Sequence, residues 1–521
     1  MPATFPAPRR AGWNVFSGWH APWRGVSITL KVTALFLALS FALRYIYRYQ
    51  WEIYEHLPHR GAIIAVGVLG CMRMLWSIFN CYRAFIFRFI KMPYFRRRAA
   101  ALPTEQKYPK HVYFIIPTVR EELMVTRRQV KSILREALRI PCTVTAIYAT
   151  GNEEEQECIR EILRNDPRGR AINVSFTRQT SKRDGMARAL RAAQNLHASR
   201  EGNSLVVLMD GDTVMGPNLL PLTLPLFAVL RKMGGLTTVN YAMAKGGGRW
   251  FRDFYNFRFA ARSHYMSALS FANCVFTLTG RFSIVRGAIG LTDGFIDAVE
   301  NDCVEDFIHG KIRLITGDDK STWFYLKKKG WDMICLPDAY AYAMENAGPT
   351  PIWTTIKKLH RWMGNMLRFN RRGLALGPGR IGGIWVWLTL LDQRICMWTS
   401  LVGLTMAIVL SIGYSPFFIL AYFSMLFMRR LVFLCLLRIE GNKLSLRYLP
   451  ILICTQWFGT FVKLWILSDM SKQGWTTDRV GQTEQQRESL FKISPILTGR
   501  LYVTSMFVVF LYAIVQLTSI K

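Results

Sequence analysis

Acidic residues are scarce in this sequence: 34 Asp plus Glu stand against 67 Lys plus Arg, a formal net charge of +33. Such an imbalance directs the protein towards anionic company, whether phosphates, acidic lipids, nucleic acid or a polyanionic product. Charge of either sign is thin overall, 19% of residues against 51% hydrophobic, which argues against a wholly soluble chain. The ten cysteines are scattered and contain no C-x-x-C pair or ligand-like cluster, so neither a structural zinc nor a disulfide framework is expected. No small-residue cleavage site follows the first apolar stretch, although Arg9, Arg10 and Arg24 precede it; that pattern reads as an anchor, not a removable signal peptide. Nucleic-acid binding lacks any matching motif.

What is present begins with apolar segments near the ~20 residues that a helix needs to cross a hydrocarbon core. Two come early, at 26–47 and 61–79, and basic residues from Lys91 to Lys110 follow them, which places residue 91 onward in the cytoplasm by the positive-inside rule. Between 100 and 350 the texture changes. Short apolar runs at 111–117, 143–149, 172–177 and 204–210 alternate with charged helical stretches, the pattern of a nucleotide-binding α/β sheet. Residues 352–372 read as an amphipathic helix able to lie on the inner leaflet. Apolar segments return at 395–412, 416–437, 447–467 and 499–520. Pro450, Gln456 and Lys463 suggest that 447–467 is interfacial or re-entrant, giving two spans before the soluble domain and three after it.

Five short motifs carry chemistry. Strand 111–117 runs into Thr118 and then Glu121-Glu122, at the carboxyl end where open α/β sheets bind ligands; helix capping is the plainer account of the two glutamates. Lys182-Arg183-Asp184-Gly185 opens a helix, where two cations and a glycine suit a diphosphate, though a solvated basic turn explains the same residues. Leu208-Met209-Asp210-Gly211-Asp212 takes a strand straight into Asp-x-Asp, so that both carboxylates can converge on one Mg2+ or Mn2+. Thr316-Gly317-Asp318-Asp319 begins another helix. One aspartate suffices to cap it, leaving the other free to act as a general base. Arg361-Trp362 offers an arginine for a leaving diphosphate and a ring face for a sugar, or simply an interfacial anchor.

In this order, and followed by apolar helices, the motifs resemble those of processive family 2 glycosyltransferases such as cellulose and hyaluronan synthases. The runs 209–214 (MDGDTV), 278–284 (LTGRFSI), 314–324 (LITGDDKSTWF), 361–368 (RWMGNMLR) and 392–403 (DQRICMWTSLVG) resemble more narrowly the mannuronan synthases, the polymerases of alginate. The resemblance implies an α/β GT-A-like (Rossmann-like) cytoplasmic glycosyltransferase domain inserted between transmembrane α-helices. Its parts are a transmembrane hairpin (1–94), the catalytic domain (95–350), interfacial helices (351–392) and a channel region (393–521) with a cytoplasmic gating loop at 468–492. It implies that Asp319, with Asp318 beside it, is the catalytic base, and that Asp210 and Asp212 hold Mg2+ or Mn2+. Thr118, Glu121, Lys182, Arg183, Asp210, Arg361, Thr476 and Arg479 would bind the nucleotide-sugar; Gly280, Arg281 and Trp362 would hold the acceptor. Lys358 stands where the family has a glutamine.

The reaction implied is processive, inverting transfer of mannuronate from GDP-mannuronate into a β-1,4 exopolysaccharide, extruded across a bacterial inner membrane. Its partners are the donor, the growing polysaccharide, membrane lipid and a separate PilZ-type cyclic-di-GMP-binding subunit, with no nucleic acid. The rivals are a neutral polymer built from a UDP-sugar, single transfer to a lipid carrier and, from another class, a transporter. A transporter would need acidic residues or paired broken helices within its spans, and the clearest charges there are basic.

Overall fold

The computed structural model describes residues 60–118, 121–413, 416–440, 448–473 and 495–519. The first apolar stretch, 26–47, and most of the 468–492 loop, with Thr476 and Arg479, lie outside these residues.

The apolar runs form strands because both faces of their sheet are covered. Strands β1 (His111–Pro117), β2 (Thr143–Ala149), β3 (Ile172–Thr177) and β4 (Ser204–Leu208) pair in parallel in the order β3-β2-β1-β4. Alternate side chains of β1 enter different cores: Val112, Phe114 and Ile116 one, Tyr113 and Ile115 the other. A strand buried on both sides has no polar face, so its sequence is continuously hydrophobic. Helices α1 (Leu123–Ala137) and α2 (Glu153–Asn165) cover the first face through Val130, Ile133 and Ile159. Helix α3 (Lys182–Ala198) covers the second through Met186, Ala187 and Leu190.

The sheet continues past β4 with strands of mixed direction. The full order is β3-β2-β1-β4-β7-β6-β10-β5, with β5 at Thr213–Met215, β6 at Met233–Lys245, β7 at Ser283–Arg286 and β10 at Asp332–Asn346; β8 (Cys303–Asp306) and β9 (Gly310–Arg313) form a separate antiparallel pair. Chain order reverses between β1 and β4, and at such a switch point the loops leaving adjacent strands part and open a crevice. Helix α4 (Gly248–Ser270), helix α5 (Asp318–Lys328) and helix α6 (Pro351–Ala375) close round that end of the sheet.

Contacts divide the chain into two compact units, one comprising Leu75–Ser400 and Cys454–Phe507, the other including Leu401–Ile453. Three of the described helices are long and apolar enough to cross a membrane, Ile384–Gly413, Phe418–Arg438 and Tyr448–Ser468. The segment expected to be broken at Pro450 is an unbroken helix of 21 residues, with Pro450 in its first turn, where a missing N–H costs no intrahelical bond. Within the second unit, Met406 and Leu410 pack with Val402 and Phe418, while Leu420 is 64% and Ile412 84% exposed. Large aliphatic side chains turned outwards along such helices suit hydrocarbon as their solvent. No disulfide forms among the described cysteines.

Candidate active site

The Asp-x-Asp turn follows β4 and is locked by its backbone. Met209 N–H donates to the Ile115 carbonyl (3.1 Å) and Asp210 N–H to the Gly280 carbonyl (2.9 Å). Gln129 Nε2 donates to the carbonyls of both Asp210 and Gly211 at 3.0 Å. The glycines here are steric requirements. A Cβ at Gly211 would lie 2.8 Å from Thr118 Cγ2, and one at Gly280 would lie 3.0 Å from Asp210 Oδ2 and 3.3 Å from Lys182 Nζ.

Lys182 is the first residue of α3, whose N-cap Ser181 accepts from Asp184 N–H. Its ammonium joins two motifs far apart in sequence, 2.7 Å from Asp210 Oδ1 and 3.1 Å from Asp318 Oδ2. Burial pulls that ammonium down, but the two carboxylates outweigh burial and hold its pKa above the ordinary lysine value. Arg183 behaves differently. It is buried and donates to the carbonyls of Val299 (2.6 Å) and Thr316 (3.2 Å) and to Ser321 Oγ (3.0 Å), so it braces the turn before Asp318 instead of facing the cleft. Neighbours on a helix point about 100° apart, and only one of the pair can address the crevice.

Neither aspartate of the second acidic motif caps its helix through its side chain; Gly317 occupies the N-cap with φ 86°. Asp318 turns to Lys182, while Asp319 Oδ2 accepts from Thr277 Oγ1 at 2.6 Å. The two carboxyls are driven apart in acidity. Burial raises Asp318, but Lys182 and then Arg183 overcome it and keep the group below the usual carboxylate range. Asp319 is raised by burial and by the charge of Asp318. The outcome is one carboxylate fixed in an ion pair and a neighbour with proton affinity suited to a general base. A cleft lined by Asp210, Gly280, Asp318 and Asp319 opens between the motifs.

Around this centre, Glu345 is 3% exposed and takes both Arg281 and Lys358, the latter at 2.7 Å. Burial holds the Arg361 guanidinium below the ordinary arginine range, opposed by the nearby carboxylates of Glu345, Asp210 and Asp318. Trp362 meets Tyr255 edge-on at 6.0 Å and carries the Arg258 guanidinium 5.0 Å from its ring centroid. At the far edge, Thr118 donates to the buried Glu155 (2.8 Å), which also accepts from Thr126 and Thr150. Glu121 is pushed up to about 8 by burial and by Asp212, Glu155 and Asp210.

Among the described residues, no three His, Cys, Asp or Glu side chains form a complete metal cage. Asp210 and Asp212 are the two neighbouring carboxylates that could hold a hard cation. Burial and then Asp210 push Asp212 up to about 6, and a divalent ion relieves that repulsion. One or two carboxylates, completed by water and phosphate oxygens, are how Mg2+ is usually held beside a nucleotide.

Several site residues were not legible as such in the sequence. Thr277 and Glu345 bear no motif, and Gln473 lies in the segment 468–492 expected as a gating loop, with no sign in the sequence of its tie to the Thr316 turn. Gln473 Oε1 accepts from the N–H groups of Ile315 (3.1 Å) and Thr316 (3.5 Å), and its Nε2 donates to the Arg313 carbonyl (2.8 Å). Arg368 donates to the carbonyls of Met470 and Lys472 and to Asn365 Oδ1. The spacing of Arg361, Asn365 and Arg368, four and three residues apart, was the available signal for one functional helix face.

A family model described as Glycosyltransferase like family 2 matches residues 109–365. Glycosyltransferase alg8 of Pseudomonas syringae pv. tomato (strain ATCC BAA-871 / DC3000) is 32% identical over 420 residues, 80% of this chain and 84% of that one. Glycosyltransferase alg8 of Azotobacter vinelandii is 32% identical over 453 residues, 86% and 90% respectively. Among solved structures, the mannosyltransferase PcManGT from Pyrobaculum calidifontis, in complex with GDP-Man and Mn2+, has a TM-score of 0.43 at 16% identity, covering 75% of this chain and 99% of that one.

Proposed function

As this chain belongs to the family 2 glycosyltransferases, among the relatives of alg8, we propose that it polymerises mannuronate from GDP-mannuronate into the β-1,4-linked backbone of alginate and extrudes it. Its catalytic domain is a GT-A-like α/β fold. The observation that carries the reading is the bridge from Asp210 through Lys182 to Asp318, which ties a diphosphate-and-metal motif to a base motif.

In this mechanism Asp210 and Asp212 would hold Mg2+ or Mn2+, which would supply charge neutralisation for the donor diphosphate. Lys182 and Arg361 add positive charge where the leaving nucleotide gains negative charge. Asp319 takes the proton of the acceptor hydroxyl as its oxygen bonds to the anomeric carbon; the bond to the diphosphate breaks on the opposite face, with its electron pair leaving on the nucleotide. One displacement inverts the configuration. Asp318, kept ionised by Lys182, holds that ammonium and raises its neighbour's basicity. Thr118 and Glu121 are assigned to the nucleoside end, Gly280, Arg281 and Trp362 to the acceptor, and Thr476 and Arg479 to a loop closing over the nucleotide. Arg183 acts by holding the Thr316 turn.

The hydrogen bonds of Gln473 support placing residues 469–473, and the loop after them, on the side of the catalytic domain. An even number of the helices Ile384–Gly413, Phe418–Arg438 and Tyr448–Ser468 then crosses the membrane, consistent with five spans in all. Activation by a separate PilZ-type partner belongs to the same proposal, and co-purification checks it. For the substrate, inverted membrane vesicles containing the chain are given Mg2+ and either GDP-mannuronate or a UDP-sugar. Polymer from GDP-mannuronate is expected; polymer from a UDP-sugar alone would keep the mechanism and overturn the donor.

A further inference from the structure

Helix α4 presents Arg258 and Arg262 one turn apart beside the cleft, and neither has a carboxylate within ion-pair distance among the described residues. Arg262 bonds the neutral amide oxygen of Asn240 and stacks 4.8 Å from the Phe259 ring centroid. Arg281 stacks on that same ring at 4.8 Å, so Phe259 carries two guanidinium groups. Arg258 lies over Trp362, which meets Tyr255, and Lys358 is 5.5 Å from the Tyr255 centroid. The result is a strip in which arginines alternate with aromatic rings, running from the acceptor-end segment at Arg281 to Trp362. Glu345 answers Arg281 and Lys358, leaving Arg258 and Arg262 as its uncompensated charges.

We propose that Arg258 and Arg262 form a carboxylate-reading track that grips the uronate groups of the acceptor chain, and so select an acidic polymer at the binding stage. This rests on the polysaccharide reading above and adds the residues that would discriminate charge. Two half-buried arginines without counter-ions are an unfavourable arrangement in the empty protein. Burial brings Arg258 down to about 10 and, with repulsion from Arg281, Arg262 down to about 9. An acceptor carboxylate restores the missing charge and receives charge-assisted hydrogen bonds. One helical turn separates the residues by about 5–6 Å along the axis, so both cations can address one short stretch of the acceptor chain. Aromatic faces next to the cations suit sugar rings better than the bare charge sought by a lipid diphosphate.

The test uses the full chain in lipid nanodiscs and measures binding of a mannuronate oligomer, the same oligomer with its carboxyl groups reduced to alcohols, GDP, and a polyprenyl diphosphate as competitor. The wild type should bind the acidic oligomer about 10-fold or more tightly than the reduced one. The double variant R258Q/R262Q should bring that preference to about 2-fold, with GDP affinity unchanged as evidence of an intact fold. Equal affinity for the two oligomers, a preference that survives the double variant, or displacement of the acidic oligomer by the lipid diphosphate would overturn the track. In parallel vesicle assays, equal affinity accompanied by mannuronate transfer would remove the track alone, whereas equal affinity with transfer only from a neutral donor would remove the substrate reading too.

Discussion

Lys182 and Arg183 are adjacent, equally basic and differently employed. Lys182→Met removes the cation between Asp210 and Asp318, and a fall in kcat/KM of about 100-fold or more is expected, measured as nucleotide release in vesicles. Arg183→Met strands buried carbonyls and should cost about 2–3 kcal/mol of stability, seen by thermal unfolding in detergent, while the donor KM of the folded fraction changes little. A large rise in that KM would put Arg183 back among the phosphate ligands. The acid limb of activity belongs to this scale as well. Asp319 must be ionised to accept a proton, and burial with Asp318 raises its pKa, so activity should decline with falling pH above the ordinary carboxylate range near 4. Thr277→Val removes the hydrogen bond that favours the ionised form and should move the limb upwards in pH. The Asp-x-Asp and Asp-Asp pairs were legible because a carboxylate directly after a buried strand or at a helix start needs a reason. Thr277 and Glu345 were not, because the partners that bring them to the site, Asp319 and Arg281, are 42 and 64 residues away.

At the scale of elements, the four strands from β1 to β4 were readable to within two residues, since burial on both faces leaves a continuous apolar run with no competing helical period. The strands beyond β4 were less so: β6 and β10 carry tyrosines and polar residues among their apolar ones, and their long pairing, with two register shifts, depends on contacts distant in sequence. Helix α6 was legible as amphipathic, but its apolar face also packs within the catalytic unit, where Leu367 joins Ile312, Val462 and Ile466. Gln473 ties the end of the last of those helices to the base motif. Gln473→Ala should reduce kcat by about 10-fold by loosening the Thr316 turn, with thermal unfolding nearly unchanged; an unaltered kcat would make the tether incidental.

For the whole molecule, the excess of cations has at least three distinct homes: ion pairs of the centre, buried braces such as Arg183 and Arg368, and the α4 strip. Composition announced only their sum. A periplasm-sensitive reporter fused after Gln482 should be inactive if that loop lies on the catalytic side, and activity would contradict the proposed parity. The central claim, that one cleft holds the donor and uses Asp319 as base, is tested most directly by Asp319→Asn in the same vesicles, with GDP binding and polymer synthesis followed together. GDP affinity should stay within about 3-fold of wild type while polymer synthesis falls by about 1,000-fold or more. Synthesis near the wild-type rate would contradict it, because no base would then be required at Asp319.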